Sequence, residues 1–136
     1  MRRLCIIGFI KGLIGGIYIG SYLNPGNKGF RESLNSEIYV DKTELIEKTN
    51  AVLDTRQKFL CVSRLRRFGK SMAADMLAAY YERGEDSASL FDSLKISKSV
   101  SYQKHRNQYD VIKVNMQVFF RTISGNPRQF NYRACK

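Results

Sequence analysis

Acidic residues are missing from the first 30 positions, which carry four Lys or Arg and no Asp or Glu. They are nearly missing from residues 98–136, where Asp110 stands alone against eight basic residues. Residues 31–97 hold eleven of each sign, so the net charge of +11 belongs to the two ends. A surface built for nucleic acid more often interleaves its charge with the fold and its aromatics. Nonspecific binding to nucleic acid at low salt is what basic ends alone imply. Histidine is equally scarce, with His105 alone. The three cysteines, Cys5, Cys61 and Cys135, are odd in number and far apart. That excludes a His/Cys metal site and a disulfide framework, and it fits a reducing cytoplasm. There is also no uninterrupted apolar run of the ~20 residues that a membrane helix needs. The most apolar stretch begins at Leu4 and is broken by Lys11 and by Gly8, Gly12, Gly15 and Gly16. No small-x-small cleavage site follows it, so neither a span nor a cleaved leader is expected.

What is present is 136 residues at 43% hydrophobic content, enough for one domain with a core. The stretch that organises it is Val62-Ser63-Arg64-Leu65-Arg66-Arg67-Phe68-Gly69-Lys70-Ser71. A short apolar run, Phe59–Val62, precedes it and reads as a buried strand holding Cys61 as a small hydrophobe. Met72–Tyr81 follows and reads as a helix, with Met72, Met76 and Tyr80 spaced i, i+4, i+8 as a core stripe. Strand, basic loop and Gly-Lys-Ser opening a helix is the setting of a phosphate-binding loop. Unpaired amides and the positive end of the helix dipole attract phosphate oxygens. Gly69 lets the backbone approach, Lys70 would reach the β- and γ-phosphates, and the Ser71 hydroxyl would ligate Mg²⁺. Arg64, Arg66 and Arg67 add guanidinium groups suited to phosphate. Arg64 stands where the standard pattern has its first glycine. The alternative is a basic surface turn ahead of an amphipathic helix, or a contact to a nucleic-acid backbone.

Ser63 to Ser71 resembles the variant Walker A loop of the bacterial AAA-ATPase-like family. Tyr39-Val40-Asp41-Lys42-Thr43 is similar to that family's second signature, and Gly26-Asn27-Lys28-Gly29-Phe30 to the segment that opens its domain. Leu65 departs from the pattern, which usually has proline there. The resemblance covers residues 22–120. It implies a P-loop NTPase-like α/β fold, a parallel sheet with flanking helices, incomplete in this chain. It also implies ATP and Mg²⁺ as cofactors, bound by Arg64, Arg66, Arg67, Phe68, Gly69, Lys70 and Ser71, with Ser71 on the metal. Family members usually carry a nuclease-like domain at the C-terminus. On this reading residues 1–21 are an apolar and basic extension, and residues 121–136 a basic tail of no recognised type.

Along the chain, Leu23–Gly29 is a loop by its turn residues. Phe30 and Leu34 fall on one face of a short helix. Glu37–Val40 is strand-like. Asp41-Lys42-Thr43-Glu44 has the form of a capping box at the start of a helix that continues through Leu45, Ile46, Thr49, Val52 and Leu53. The family pattern also places Asp41-Lys42-Thr43 near the nucleotide, in a supporting role. Arg83-Gly84 reads as a basic last turn and a glycine stop. A short helix is expected over Ser87–Leu94, with Leu90, Phe91 and Leu94 inward. Tyr109–Met116 reads as a strand that would pair parallel with Phe59–Val62 through a right-handed crossover. It ends in Asn115, and its one acid, Asp110, lies at the end away from the phosphate site, so it is not a Walker B strand. Asp75 reads as a solvated helix residue.

The function these residues point to is ATP binding by a truncated AAA-ATPase-like domain. Hydrolysis needs a carboxylate for Mg²⁺ and a group that orients water. Neither is found here, so turnover by this chain alone is not expected. Two other readings belong to different classes. One is a basic nucleic-acid-binding module using Tyr102, Tyr109, Phe119, Phe120, Phe130 and Tyr132. The other is a non-functional remnant, since residues 121–136 lose the family pattern. Oligomeric state is open.

Overall fold

The computed structural model describes residues 5–10, 23–63, 65 and 67–115. Among them the order is β1 (Cys5–Ile10), α1 (Lys28–Leu34), α2 (Glu44–Val52), α3 (Lys70–Tyr81), α4 (Ala88–Phe91), a 3₁₀ turn (Lys95–Lys98), α5 (Tyr102–His105) and β2 (Asp110–Asn115). The architecture is mixed helix and strand, with helix predominating.

The core lies where α3 is covered by α1, α2 and the short helices. Phe30, Ile46, Met76, Tyr80, Tyr81, Phe91 and Ile96 are all buried. Phe30 stacks on Phe91 at 4.8 Å between centroids, and Tyr80 meets Phe91 edge-on at 5.5 Å. Aromatic pairs in these geometries contribute about 1 kcal/mol beyond their buried area. Burying Tyr80 and Tyr81 also buries two hydroxyls, and each is satisfied. Tyr80 donates to the Tyr102 carbonyl at 2.7 Å, and Tyr81 donates to Asn50 Oδ1 at 2.6 Å. Asn50 also donates to Tyr80 Oη and Ser101 Oγ, so α2, α3 and α5 share one buried polar network.

β2 is the strand expected over Tyr109–Met116, but its partner differs. It pairs antiparallel with β1, with Cys5 opposite Asn115 and Ile10 opposite Asp110. Phe59–Val62 forms no strand and is exposed, Phe59 at 86%. Cys61 is likewise an exposed free thiol and not a core residue. The physical reason is that a four-residue apolar run has no period to fix its partner or its burial. Glu37–Val40 also forms no strand, and Ile38 and Val40 face solvent. A parallel contact does occur elsewhere. Glu82, just past α3, bridges Tyr109 in parallel, with the Tyr109 amide on the Tyr81 carbonyl and the Arg83 amide on the Tyr109 carbonyl. α3 therefore ends at an extended Glu82 and not at Gly84, because the chain leaves the helix to pair with β2.

The loop before α1 is held by carboxylates and by Asn24. Asn24 exchanges two hydrogen bonds with the Val111 backbone and donates to Asp110 Oδ1 at 2.9 Å. Asp110 also takes Arg83 Nε at 2.8 Å. The Gly26 amide donates to Glu82 Oε2. Asp75 is paired with Lys113 and abuts Gly29, so it ties α3 to β2 and α1 and is not simply solvated.

Candidate functional site

Two anchors fix the loop ahead of α3. Gly69 caps the helix in the left-handed region, φ 71° and ψ 28°, and its carbonyl accepts the first helical bond from Ala73. Arg67 is left-handed too, at φ 68°. A non-glycine residue rarely holds that conformation, and it clusters at ligand-binding turns. Arg67 and Gly69 thus place two left-handed residues in the turn that opens α3. α3 is 12 residues long, enough for its dipole to act at this end.

Lys70 is half-buried and donates to the Leu65 carbonyl at 2.8 Å, folding back over the loop that precedes it. Ser71 is exposed in the first turn of α3. Phe68 and Arg67 are exposed at the turn. Arg64 and Arg66 lie outside the described residues. Arg67, Phe68, Gly69, Lys70 and Ser71 follow one another through the turn into the first residues of α3.

A second lysine also reaches this place. Lys42 Nζ donates to the Phe68 carbonyl at 3.0 Å, and a Cβ at Gly69 would stand 2.7 Å from the same ammonium. The residues alone read as a helix cap and only the family resemblance puts Asp41-Lys42-Thr43 near the nucleotide, with no contact for Lys42, because nothing in a lysine 26 residues upstream marks where its tip lies. Its neighbours explain the placement. Asp41 Oδ1 accepts from the Thr43 amide at 2.8 Å and hydroxyl at 2.7 Å, and Oδ2 accepts from the Lys95 amide at 2.8 Å. Partial burial opposes the charge on Asp41, but those donors and the Lys95 charge outweigh it and hold the carboxyl below its usual range. The expected capping box is therefore not formed: Thr43 stands at the N-cap position of α2 with no side-chain bond to the helix, and Asp41 bonds the turn before it and the 3₁₀ segment.

The residues fit a phosphate chain. One glycine has its Cβ space filled by an ammonium, two lysines end on neutral carbonyls of the same loop, and no Asp or Glu occurs between Asp54 and Asp75. Residues 27–133 match the family model described as Predicted AAA-ATPase. The chain belongs to the AAA-ATPase-like family. No curated protein and no solved structure matches it at a significant level.

In this AAA-ATPase-like chain the match spans the Lys42 turn, the Gly69 loop and α3 together. The other buried acids lie elsewhere. Among the described residues Glu82 Oε1 and Asp110 Oδ2 have no hydrogen-bond partner. Burial raises the Glu82 carboxyl to about 7; the Gly26 amide and Lys113 lower it, and Glu85 adds to the rise. Both sit at the opposite end of α3 from the loop, so neither is placed to hold Mg²⁺ beside Ser71. Among the described residues no cluster of three His, Cys, Asp or Glu forms a metal site, and no helix is long and apolar enough to cross a membrane.

Proposed function

We propose that this chain binds ATP with Mg²⁺ through the loop that ends in Gly69-Lys70-Ser71. The observation that carries the reading is the left-handed Gly69 at the head of α3, with the Lys70 and Lys42 ammoniums drawn onto the loop's own carbonyls. A phosphate chain would replace those carbonyls with charged acceptors, which make hydrogen bonds about twice as strong. Lys70 would take the β- and γ-phosphates and Ser71 the metal, with Arg67 and the neighbouring Arg64 and Arg66 as supporting charge. On this reading Phe59–Val62 is the strand that delivers the loop, and it takes its place in a P-loop NTPase-like sheet when given strand partners. Binding is proposed and turnover is not, because Asp75, the acid nearest Ser71 in sequence, is paired with Lys113.

The test is a thermal unfolding curve with and without Mg-ATP, on the wild type and on Lys70→Ala. Ligand at a hundred times its Kd stabilises the native state by about 2.7 kcal/mol. The wild-type midpoint is expected to rise by several degrees and the Lys70→Ala midpoint to stay put. A cooperative transition that ignores Mg-ATP in both proteins would overturn the reading.

A further inference from the structure

We infer that Lys42 is a second phosphate-binding cation of the loop, supplied from the turn before α2 and acting beside Lys70. The inference rests on the nucleotide-binding reading above and adds a residue to it. Three observations carry it. The first is position. The Lys42 ammonium lies on the Phe68 carbonyl and over the face of Gly69 that lacks a Cβ, at the point where backbone and ligand must approach most closely.

The second is rigidity of the stem. Lysine side chains are long and lose much entropy when held, so an ammonium is delivered reliably only from a fixed backbone. Here the residues on both sides are fixed. Asp41 is bonded to Thr43 and to the Lys95 amide, while Thr43 is buried and its hydroxyl accepts from the Ile96 amide at 3.2 Å. The third is charge. Among the described residues no carboxylate pairs with Lys42, whereas Lys28, Arg83, Lys95, Arg106 and Lys113 each have one. The one carboxylate adjacent in sequence, Asp41, has both oxygens engaged elsewhere. An ammonium held on a neutral carbonyl, with no carboxylate paired to it among the described residues, is available to an anion. The ligand class this recognises is a polyphosphate, since Lys42 and Lys70 approach the loop from separate elements.

The experiment is calorimetric titration of the full chain with Mg-ATP and with Mg-tripolyphosphate, which has the phosphates and no base. The proteins are the wild type, Lys42→Met, Lys42→Arg and Lys70→Ala. One charged hydrogen bond lost predicts that Lys42→Met weakens both ligands by about tenfold. Lys42→Arg should bind close to wild type, and Lys70→Ala should lose both. If Lys42→Met lowers the ligand-free midpoint, the comparison passes to Lys42→Gln, which keeps a donor for the Phe68 carbonyl and lacks the charge. Wild-type affinity in the uncharged variants, with loss in Lys70→Ala, overturns the role of Lys42 alone. A loss confined to Mg-ATP, with tripolyphosphate unaffected, overturns it too. A wild type that binds neither ligand overturns the loop reading and this inference together.

Discussion

Gly69 illustrates how much can depend on a missing side chain. Its positive φ disfavours any L-residue, and the space a Cβ would need belongs to the Lys42 ammonium. The clash is with the flexible end of a side chain, so an alanine there would displace Lys42 and leave the helix in place. Gly69→Ala should cost about 1 kcal/mol of stability in a urea titration, from the backbone term. It should also weaken Mg-ATP binding by more than that loss of stability accounts for. Of the residues proposed for this site, Gly69, Lys70 and Ser71 stand out in the sequence as a motif because such a motif is set by residue type and local order. Lys42 was legible only as part of a family signature. Its contact depends on how the turn at Asp41 is bonded to the 3₁₀ segment, and long-range bonding of that kind leaves no local pattern.

At the scale of elements, α3 joins two unlike ends. One faces the loop, and the other passes into Glu82, where a buried carboxyl holds the Gly26 amide. The ordinary value for that carboxyl is 4.5 and the folded value is about 7, so folding favours its protonated form. Its contribution is fully present below about pH 4.5 and is lost as pH rises through 7. Glu82 should therefore lower the unfolding free energy by on the order of 2 kcal/mol between pH 5 and pH 8. Glu82→Gln should flatten that slope and raise stability at pH 8, as read from urea midpoints across the range. The helices α1 to α4 were readable from period and turn residues, as in α3 and the Phe30–Leu34 pair, whereas α5 and the 3₁₀ turn were not expected. The strands were half readable. The β2 run was found, but the antiparallel partner and the exposed state of Phe59–Val62 were not, because pairing is decided by what else is free to pair. Glu82 was missed because a lone acid at a helix end looks the same whether it is solvated or sealed.

For the whole molecule, the unusual property is where its uncovered apolar surface lies. Phe59, Leu60, Val62, Leu65 and Phe68 are all exposed in the segment that leads to the loop and enters it. Exposed apolar side chains this close together in sequence invite association. The pair Phe59→Ser and Leu60→Ser should lower concentration-dependent light scattering while leaving the unfolding midpoint unchanged, since neither side chain contributes to the core. An equal scattering curve would mean that association, if present, uses another surface. The same separation between core and loop has a consequence for how occupancy could be read at a distance. Asp41 and Thr43 hold the Lys95 and Ile96 amides, and the residue between them reaches the loop. Seating an anion on Lys42 would quiet that turn, and the turn in turn would quiet the two amides. Deuterium uptake at Lys95 and Ile96 would then slow when polyphosphate is added, although both lie more than twenty residues beyond Ser71 in the chain. The 3₁₀ segment would serve as a remote gauge of whether the loop is filled.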